Sequence, residues 1–368
     1  MATAPQRILI VQPSWVGDAA MASPALRAVR ELYPDAHISY LLKRYVKPMY
    51  TGMPWADRLI TYRTGKTDKK AGRGQFLGLA ARLREGNFDA AILLPGSFKS
   101  ALLCKMAGIK KIVGYERDGR GFLLTDKLLP IREGGRYVPT PIVKYYLGLA
   151  QYLGYTGRDL TMRLFVTDAD RREADAIFER LGLDAKLERP GAAGGPPLVV
   201  LNPGAQYGAS KLWPAAYYAE LADRLIAERG ATVLISSAPK ERRIVDEITR
   251  KMARVPYDLA KAGLTLGALK EVVRRCDLMV TNDTGPRHIA AAMDVPVVTI
   301  FGPTHPEWTE IYFDKERICQ VKVHCGPCQL KTCPLDHRCM TRIHPGMVLE
   351  KVDELLGLHP TPVATPNG

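Results

Sequence analysis

Apolar residues fall into two recurring patterns along the chain. Short unbroken apolar runs read as strands buried on both faces, and longer stretches with apolar positions returning every three or four residues read as helices. In the first half these are RILIVQ (7–12, strand), MASPALRAVRELYP (21–34, helix), AHISYLL (36–42, strand) and LAARLREG (79–86, helix). FDAAILLPG (88–96, strand), FKSALLCKMAG (98–108, helix) and KKIVGYE (110–116, strand) continue the alternation. Such an order predicts a parallel sheet with helices on both faces.

A breaker-rich segment, LERPGAAGGPPL at 187–198, reads as a linker or surface loop. Beyond it the scheme repeats: LVVLNPG (198–204), ATVLISS (231–237), DLMVTND (277–283) and PVVTIFG (296–302) as strands. WPAAYYAELADRLIAERG (213–230), KERRIVDEITRKM (240–252), LTLGALKEVVRRC (264–276) and GPRHIAAAM (285–293) are the helices. The expected architecture is α/β, two doubly wound Rossmann-like domains facing a central cleft, the architecture repeating without residue-level self-similarity. We place the first domain at 1–186, a linker at 187–197 and the second domain at 198–356, with a Cys-rich segment at 324–340. The tail GLHPTPVATPNG (357–368) has no periodicity and is expected to be disordered.

A length of 368 residues suits two such domains. No apolar stretch reaches the roughly 18 to 20 residues that span a bilayer, and MATAPQR lacks the pattern of a secretory signal, so a cytoplasmic location is expected. The formal charge of +14 and isoelectric point near 9.4 call for an anionic partner: nucleic acid, a phosphorylated small molecule or an anionic lipid surface. The densest basic stretch, RTGKTDKKAGRGQ at 63–75, reads as a solvated loop. No nucleic-acid motif is recognisable.

Ligands of open parallel sheets bind beyond the carboxyl ends of the strands, and the polar motifs fall there. NPGAQYGASKLWP (202–214) joins a strand to a helix with small residues and Lys211, which suits either a phosphate cradle or an ordinary turn. In TNDTGPRHIAAAM (281–293), Asp283, Thr284 and Gly285 form the turn before a helix, with His288 a turn further in. A cap accounts for Asp or Thr, a core histidine for His288. A diphosphate would use the whole set, through neutral donors at the helix N-terminus and the Thr hydroxyl. PSWVGD (13–18) places Asp18 after Gly17 in a loop where it either caps a helix starting near Ala19 or serves as a general base. One base opposite a nucleoside diphosphate leaving group is the arrangement of an inverting glycosyl transfer, and no metal is then needed for charge.

PSWVGD, LPGSFKSAL (94–102), NPGAQYGASKLWP and TNDTGPRHIAAAM, in this order, resemble the lipopolysaccharide heptosyltransferases of glycosyltransferase family 9, in their heptosyltransferase II branch. The resemblance runs from about residue 7 to 312. It implies a two-domain GT-B fold and transfer of L-glycero-D-manno-heptose from ADP-heptose to the inner core of lipopolysaccharide, with inversion. It also implies Asp18 as base and a donor site of Gly17, Gly204, Lys211, Ser237, Asp283, Thr284, Gly285 and His288. Ser97 and Lys99 would face the acceptor, a phosphorylated Kdo- and heptose-bearing lipid A core met peripherally at the inner membrane face. The family often has an acidic residue after the strand that corresponds to TVLISS, to hold the ribose. Here the loop reads SSAPKERR, with Glu241 the substitute in a shifted register.

HCGPCQLKTCPLDHRCM carries Cys325, Cys328, Cys333 and Cys339, spaced C-x2-C-x4-C-x5-C. Such a quartet suits structural zinc or iron, with His324 and His337 as alternative ligands, while free thiols or a disulfide remain the other readings. No cofactor is required for the chemistry itself. Cys104, Cys276 and Cys319 read as small core residues. Two other functions share the architecture: a nucleotide-sugar epimerase, and a related transferase with a different acceptor. A binding module for nucleic acid or membrane is the reading outside catalysis.

Overall fold

The apolar runs form two six-stranded sheets, parallel throughout. The computed structural model describes residues 5–63 and 69–358, with the side chains of 69–73 also outside the described set. The basic stretch 63–75 therefore lies partly, and the tail from 359 wholly, outside the described residues.

The first sheet is built from β1 (Arg7–Val11), β2 (His37–Lys43), β3 (Arg58–Tyr62), β4 (Ala90–Leu93), β5 (Lys111–Tyr115) and β6 (Asp126–Leu128), in the order β3-β2-β1-β4-β5-β6. A two-stranded antiparallel ribbon, β7 (Arg132–Glu133) and β8 (Arg136–Tyr137), follows. The second sheet holds β9 (Leu198–Asn202), β10 (Thr232–Ile235), β11 (Tyr257–Asp258), β12 (Leu278–Asn282), β13 (Val297–Phe301) and β14 (Glu316–Gln320). Its order is β11-β10-β9-β12-β13-β14, so in each sheet the order of strand addition reverses beside the first strand. The loops after β1 and β4, and after β9 and β12, thus stand at the two switch points where doubly wound sheets hold ligands.

β4, β9, β12 and β13 are buried along their whole length, which is why they read as apolar runs rather than alternating ones. In the second unit Trp213 fills the core edge-on to Tyr218 and donates its indole N–H to the Ile343 carbonyl at 2.8 Å, satisfying its one polar atom. Cys104, Cys276 and Cys319 are buried, as small core residues would be.

The chain divides into Met1–Phe165 with Glu307–Tyr312, and Val166–Pro306 with Phe313–Gly368. This differs from the boundary expected at 186. The helix Asp168–Arg180 carries a capping box between Thr167 and Asp170 and goes with the second unit. Asp170 pairs with the fully buried Lys270 at 3.2 Å, and Asp175 with Arg275 at 2.6 Å. The expected linker is likewise part of the second unit. The Asp277 carboxylate accepts from the amides of Gly191, Ala192 and Leu198, so the Pro and Gly residues there shape a bound turn. The single helix expected over 21–34 is two, Val16–Met21 and Ser23–Leu32, and the Ser23 hydroxyl donates to the Ala20 carbonyl at their junction.

Candidate functional site

Asp18 is not in a loop and is not a cap. It sits in the first turn of Val16–Met21, whose N-cap is Trp15 with no side-chain capping bond. Gly17 beside it is buried, whereas Asp18 itself is half-buried. The Tyr146 hydroxyl, from the helix Ile142–Tyr152, donates to Asp18 Oδ1 at 3.1 Å. Burial pushes the Asp18 carboxyl up to about 6, against the lowering effect of Tyr146 and of its own backbone amide. A carboxylate that titrates there is ionised at neutral pH and basic enough to accept a proton from a hydroxyl.

The loop after β4 is shaped by Arg120, a residue the sequence did not point to. Its buried guanidinium donates to the carbonyls of Pro95 at 2.5 Å and Ser97 at 3.2 Å and to the Ser100 hydroxyl at 3.0 Å. Ser97 caps the helix Phe98–Met106 by accepting from the Ser100 amide at 3.4 Å, so its side chain has a structural use. Lys99 is exposed.

In the second unit the loops after β9 and β12 meet because those strands are neighbours. Lys211, on the short turn Ala209–Lys211, donates to the Asp283 carbonyl at 3.0 Å and to Asp283 Oδ2 at 2.5 Å. Two of its three N–H donors are thereby used, and one is left. The Thr304 hydroxyl donates to the same Oδ2 at 2.8 Å, and Arg287 stands 3.8 Å from Oδ1. Burial alone would raise the Asp283 carboxyl, but Lys211, Arg287 and the two hydrogen bonds hold it below the usual carboxylate range. Arg287 is itself neutralised by a bidentate pair with Glu316, at 2.6 and 2.8 Å. The fixed charges of this cluster cancel. Attraction for an anion must then come from the remaining Lys211 donor and from the N-terminus of the helix Gly285–Ala292, where Thr284 is the N-cap with no side-chain capping bond.

His288 is buried beside this cluster. Burial and the cations Arg287 and Lys211 push it down to about 3, so it stays neutral, and its Nδ1 has no hydrogen-bond partner among the described residues. Ser237 also keeps an enclosed hydroxyl without a partner. Glu241 is used locally: it accepts from the amides of Ala238 and Ala205 and lies so close to Gly204 that any side chain there would overlap it. Glu241 thus joins the loops after β9 and β10, and a side chain at position 204 would have to displace its carboxylate. Paired asparagines at the strand ends complete the frame. The Asn202 amide donates to Thr281 and accepts from Ser236, and Asn282 donates to the Pro203 carbonyl and accepts from Tyr218. The repeated strand-terminal Asn in LVVLN and LMVTN was the sequence signal for them.

The Cys-rich segment supports the Lys211 loop. The Tyr207 hydroxyl donates to the Gln329 carbonyl at 2.5 Å, the Ser210 amide to Lys331 at 3.1 Å, and the His337 ring to the Ser210 carbonyl at 2.6 Å. His337 Nε2 must carry the proton in that bond. Cys325, Cys328, Cys333 and Cys339 line one small cavity with Ser210 and His337, all as free thiols. The donor type suits a thiophilic metal, yet no three His, Cys, Asp or Glu side chains among the described residues stand close enough to hold one. The metal expected at the quartet would require these thiols to draw together.

The model of glycosyltransferase family 9 (heptosyltransferase) matches residues 76–338. The lipopolysaccharide heptosyltransferase 2 of Escherichia coli K12 is 31% identical over 360 residues, covering 95% of this chain and 98% of that one. The lipooligosaccharide heptosyltransferase 2 of Haemophilus influenzae is 31% identical over 364 residues, covering 95% and 99%. The solved structure of the E. coli ADP-heptose lps heptosyltransferase II superposes with a TM-score of 0.76 at 28% identity, covering 95% of this chain and 98% of that chain. The paired parallel sheets are of the GT-B type that the resemblance implied.

Proposed function

Since the chain belongs to glycosyltransferase family 9, the heptosyltransferases, we propose that it moves L-glycero-D-manno-heptose from ADP-heptose to the lipopolysaccharide inner core with inversion. The observation that carries this reading is the division of labour at the two switch points. A basic carboxylate, Asp18, stands after β1, and a charge-balanced cradle of Lys211, Asp283 and a helix N-terminus stands after β9 and β12.

In the proposed reaction Asp18 takes the proton of an acceptor hydroxyl as its oxygen forms a bond to the anomeric carbon. The bond from that carbon to the diphosphate breaks, and the electron pair leaves with ADP. The Gly285 amide, the Thr284 hydroxyl and the last Lys211 donor meet the charge that develops on the leaving diphosphate. His288, being neutral, can donate without adding repulsion to the Lys211 and Arg287 cations. Gly17, Gly204 and Ser237 are assigned to the donor, as the resemblance implies. Lys99, with Ser97, is assigned to the phosphate or carboxylate groups of the acceptor. No cofactor enters this scheme.

The acceptor is a lipid-linked sugar, and no helix among the described residues is long and apolar enough to cross a membrane. We therefore place the enzyme peripherally at the cytoplasmic membrane face. The Cys quartet is assigned a structural metal, zinc or iron, that would lock the support of the Lys211 loop. Metal analysis of the purified protein tests this: less than about 0.1 equivalent after growth with added zinc and iron removes the assignment. The function is tested by calorimetric titration with ADP, UDP and GDP, followed by a transfer assay with ADP-heptose and a heptosyl-Kdo-lipid A acceptor. Selective ADP binding and a product of inverted anomeric configuration are expected. Equal affinity for the three nucleotides, or no transfer, defeats the reading.

A further inference from the structure

Tyr146 and Asp18 are far apart in sequence, yet their helices pack together and the phenol donates to the carboxylate at 3.1 Å. Tyr146 is 5% exposed, and it is the one side chain that hydrogen-bonds Asp18 among the described residues. The buried hydroxyl of Tyr50 has no partner among the described residues, whereas that of Tyr146 has one, and it is the proposed base. The other titratable groups that face Asp18 from packed elements are Tyr45 and Tyr50, both neutral at physiological pH.

We infer that Tyr146 positions the base: its hydroxyl engages Oδ1, so Oδ2 is the oxygen that receives the proton of the acceptor hydroxyl. The inference rests on Asp18 being the base. Tyr146 keeps its own proton throughout, because burial and the Asp18 charge push the phenol well above its usual value. It is a fixed donor and not a relay. Its bond also favours the ionised carboxylate and so opposes the burial that raises Asp18 to about 6. Base strength is the balance of the two.

The test is the pH profile of kcat/KM for heptose transfer in Tyr146→Phe and in a protein with 3-fluorotyrosine at position 146. The fluorinated ring keeps the packing and is a stronger donor. A hydrogen bond to a charged group is worth about 1.5–3 kcal/mol, and 1.36 kcal/mol is one pKa unit. The acid limb, expected near pH 6 in the wild type from the raised Asp18 carboxyl, should rise by about one unit in Tyr146→Phe. That lowers kcat/KM at pH 6 by about fivefold and at pH 8.5 far less, with ADP affinity unchanged. In the fluorotyrosine protein the limb moves down. A limb that stays in place in both overturns the inference. Asp18→Asn separates the two failures: if it retains turnover and the acid limb, the base assignment itself falls, and if it is inactive while both Tyr146 proteins keep the wild-type profile, only the role of Tyr146 falls.

Discussion

Replacing Lys211 with Met removes one partner of a buried ion pair while keeping the bulk of the side chain. The ammonium and Asp283 Oδ2 are 2.5 Å apart, with side chains 12% and 5% exposed. Stranding a buried charge in this way costs about 3–5 kcal/mol. Two features lower the expected cost. Asp283 keeps the Thr304 hydroxyl at 2.8 Å and Arg287 at 3.8 Å. It can also escape by taking a proton, which at pH 7 costs an ordinary carboxyl about 4 kcal/mol and so sets a ceiling. We expect a loss of about 2–3 kcal/mol at pH 7. The pH dependence follows from the sign of the shift. In the wild type the Asp283 carboxyl is held low, so its contribution is present above the unfolded value and is lost only as pH falls through the folded one. In the variant the carboxyl is raised instead, and acid relieves it, so the gap between the two proteins narrows toward pH 5. ADP affinity should fall about 10- to 100-fold, the worth of one charged hydrogen bond. Urea unfolding by circular dichroism at pH 5.0 and 7.5, with calorimetric ADP titration, measures both. A stability gap that does not change with pH, or an unaltered ADP affinity, would refute the argument that this pair links fold and donor site.

Asp18→Asn keeps the shape and the Tyr146 contact but cannot accept the proton; kcat should drop about 10²- to 10⁴-fold with ADP affinity within about twofold, and steady-state kinetics beside calorimetry decides it. Gly208→Ala places a methyl group against the Lys331 carbonyl. The Lys211 loop must then move off the Cys-rich segment, which should cost about 1–3 kcal/mol and weaken ADP binding, and a melting temperature and ADP affinity both equal to wild type would show that this close approach is dispensable. Glu316→Gln removes the carboxylate charge that balances Arg287. The uncompensated positive charge of the cluster should raise the attraction for diphosphate while lowering stability, so ADP binding that weakens in proportion to stability would contradict the charge-balance account.

The alternation of RILIV-like runs with amphipathic stretches was enough to fix two doubly wound parallel sheets, because strand and helix periods are local properties of consecutive residues. The segments that carry Asp18, Lys211 and Asp283 were legible for the same reason, since each lies in the stretch between a buried strand and the helix that follows it, although Asp18 falls inside that helix rather than in the loop before it. The boundary was not, since LERPGAAGGPPL has the composition of a linker while Asp277, far along the chain, binds its amides into the second unit. Nor was the identity of each partner. Asp18 reads alone as cap or base, and only the packing of the helix Ile142–Tyr152 on Val16–Met21 brings the Tyr146 hydroxyl to it. Lys211 meets Asp283 because β9 lies beside β12, a neighbour relation set by strand order and not by any run of residues. The Cys quartet reads as a metal knuckle, yet what the segment does for the Lys211 loop is done by the carbonyls of Gln329, Leu330 and Lys331, and no three His, Cys, Asp or Glu side chains among the described residues are placed to hold an ion. Sequence patterns encode the period and the punctuation of each element. Which side chains meet at strand ends, and so which charges cancel and which carboxylate is left basic, is decided by tertiary packing that brings distant loops within hydrogen-bond reach.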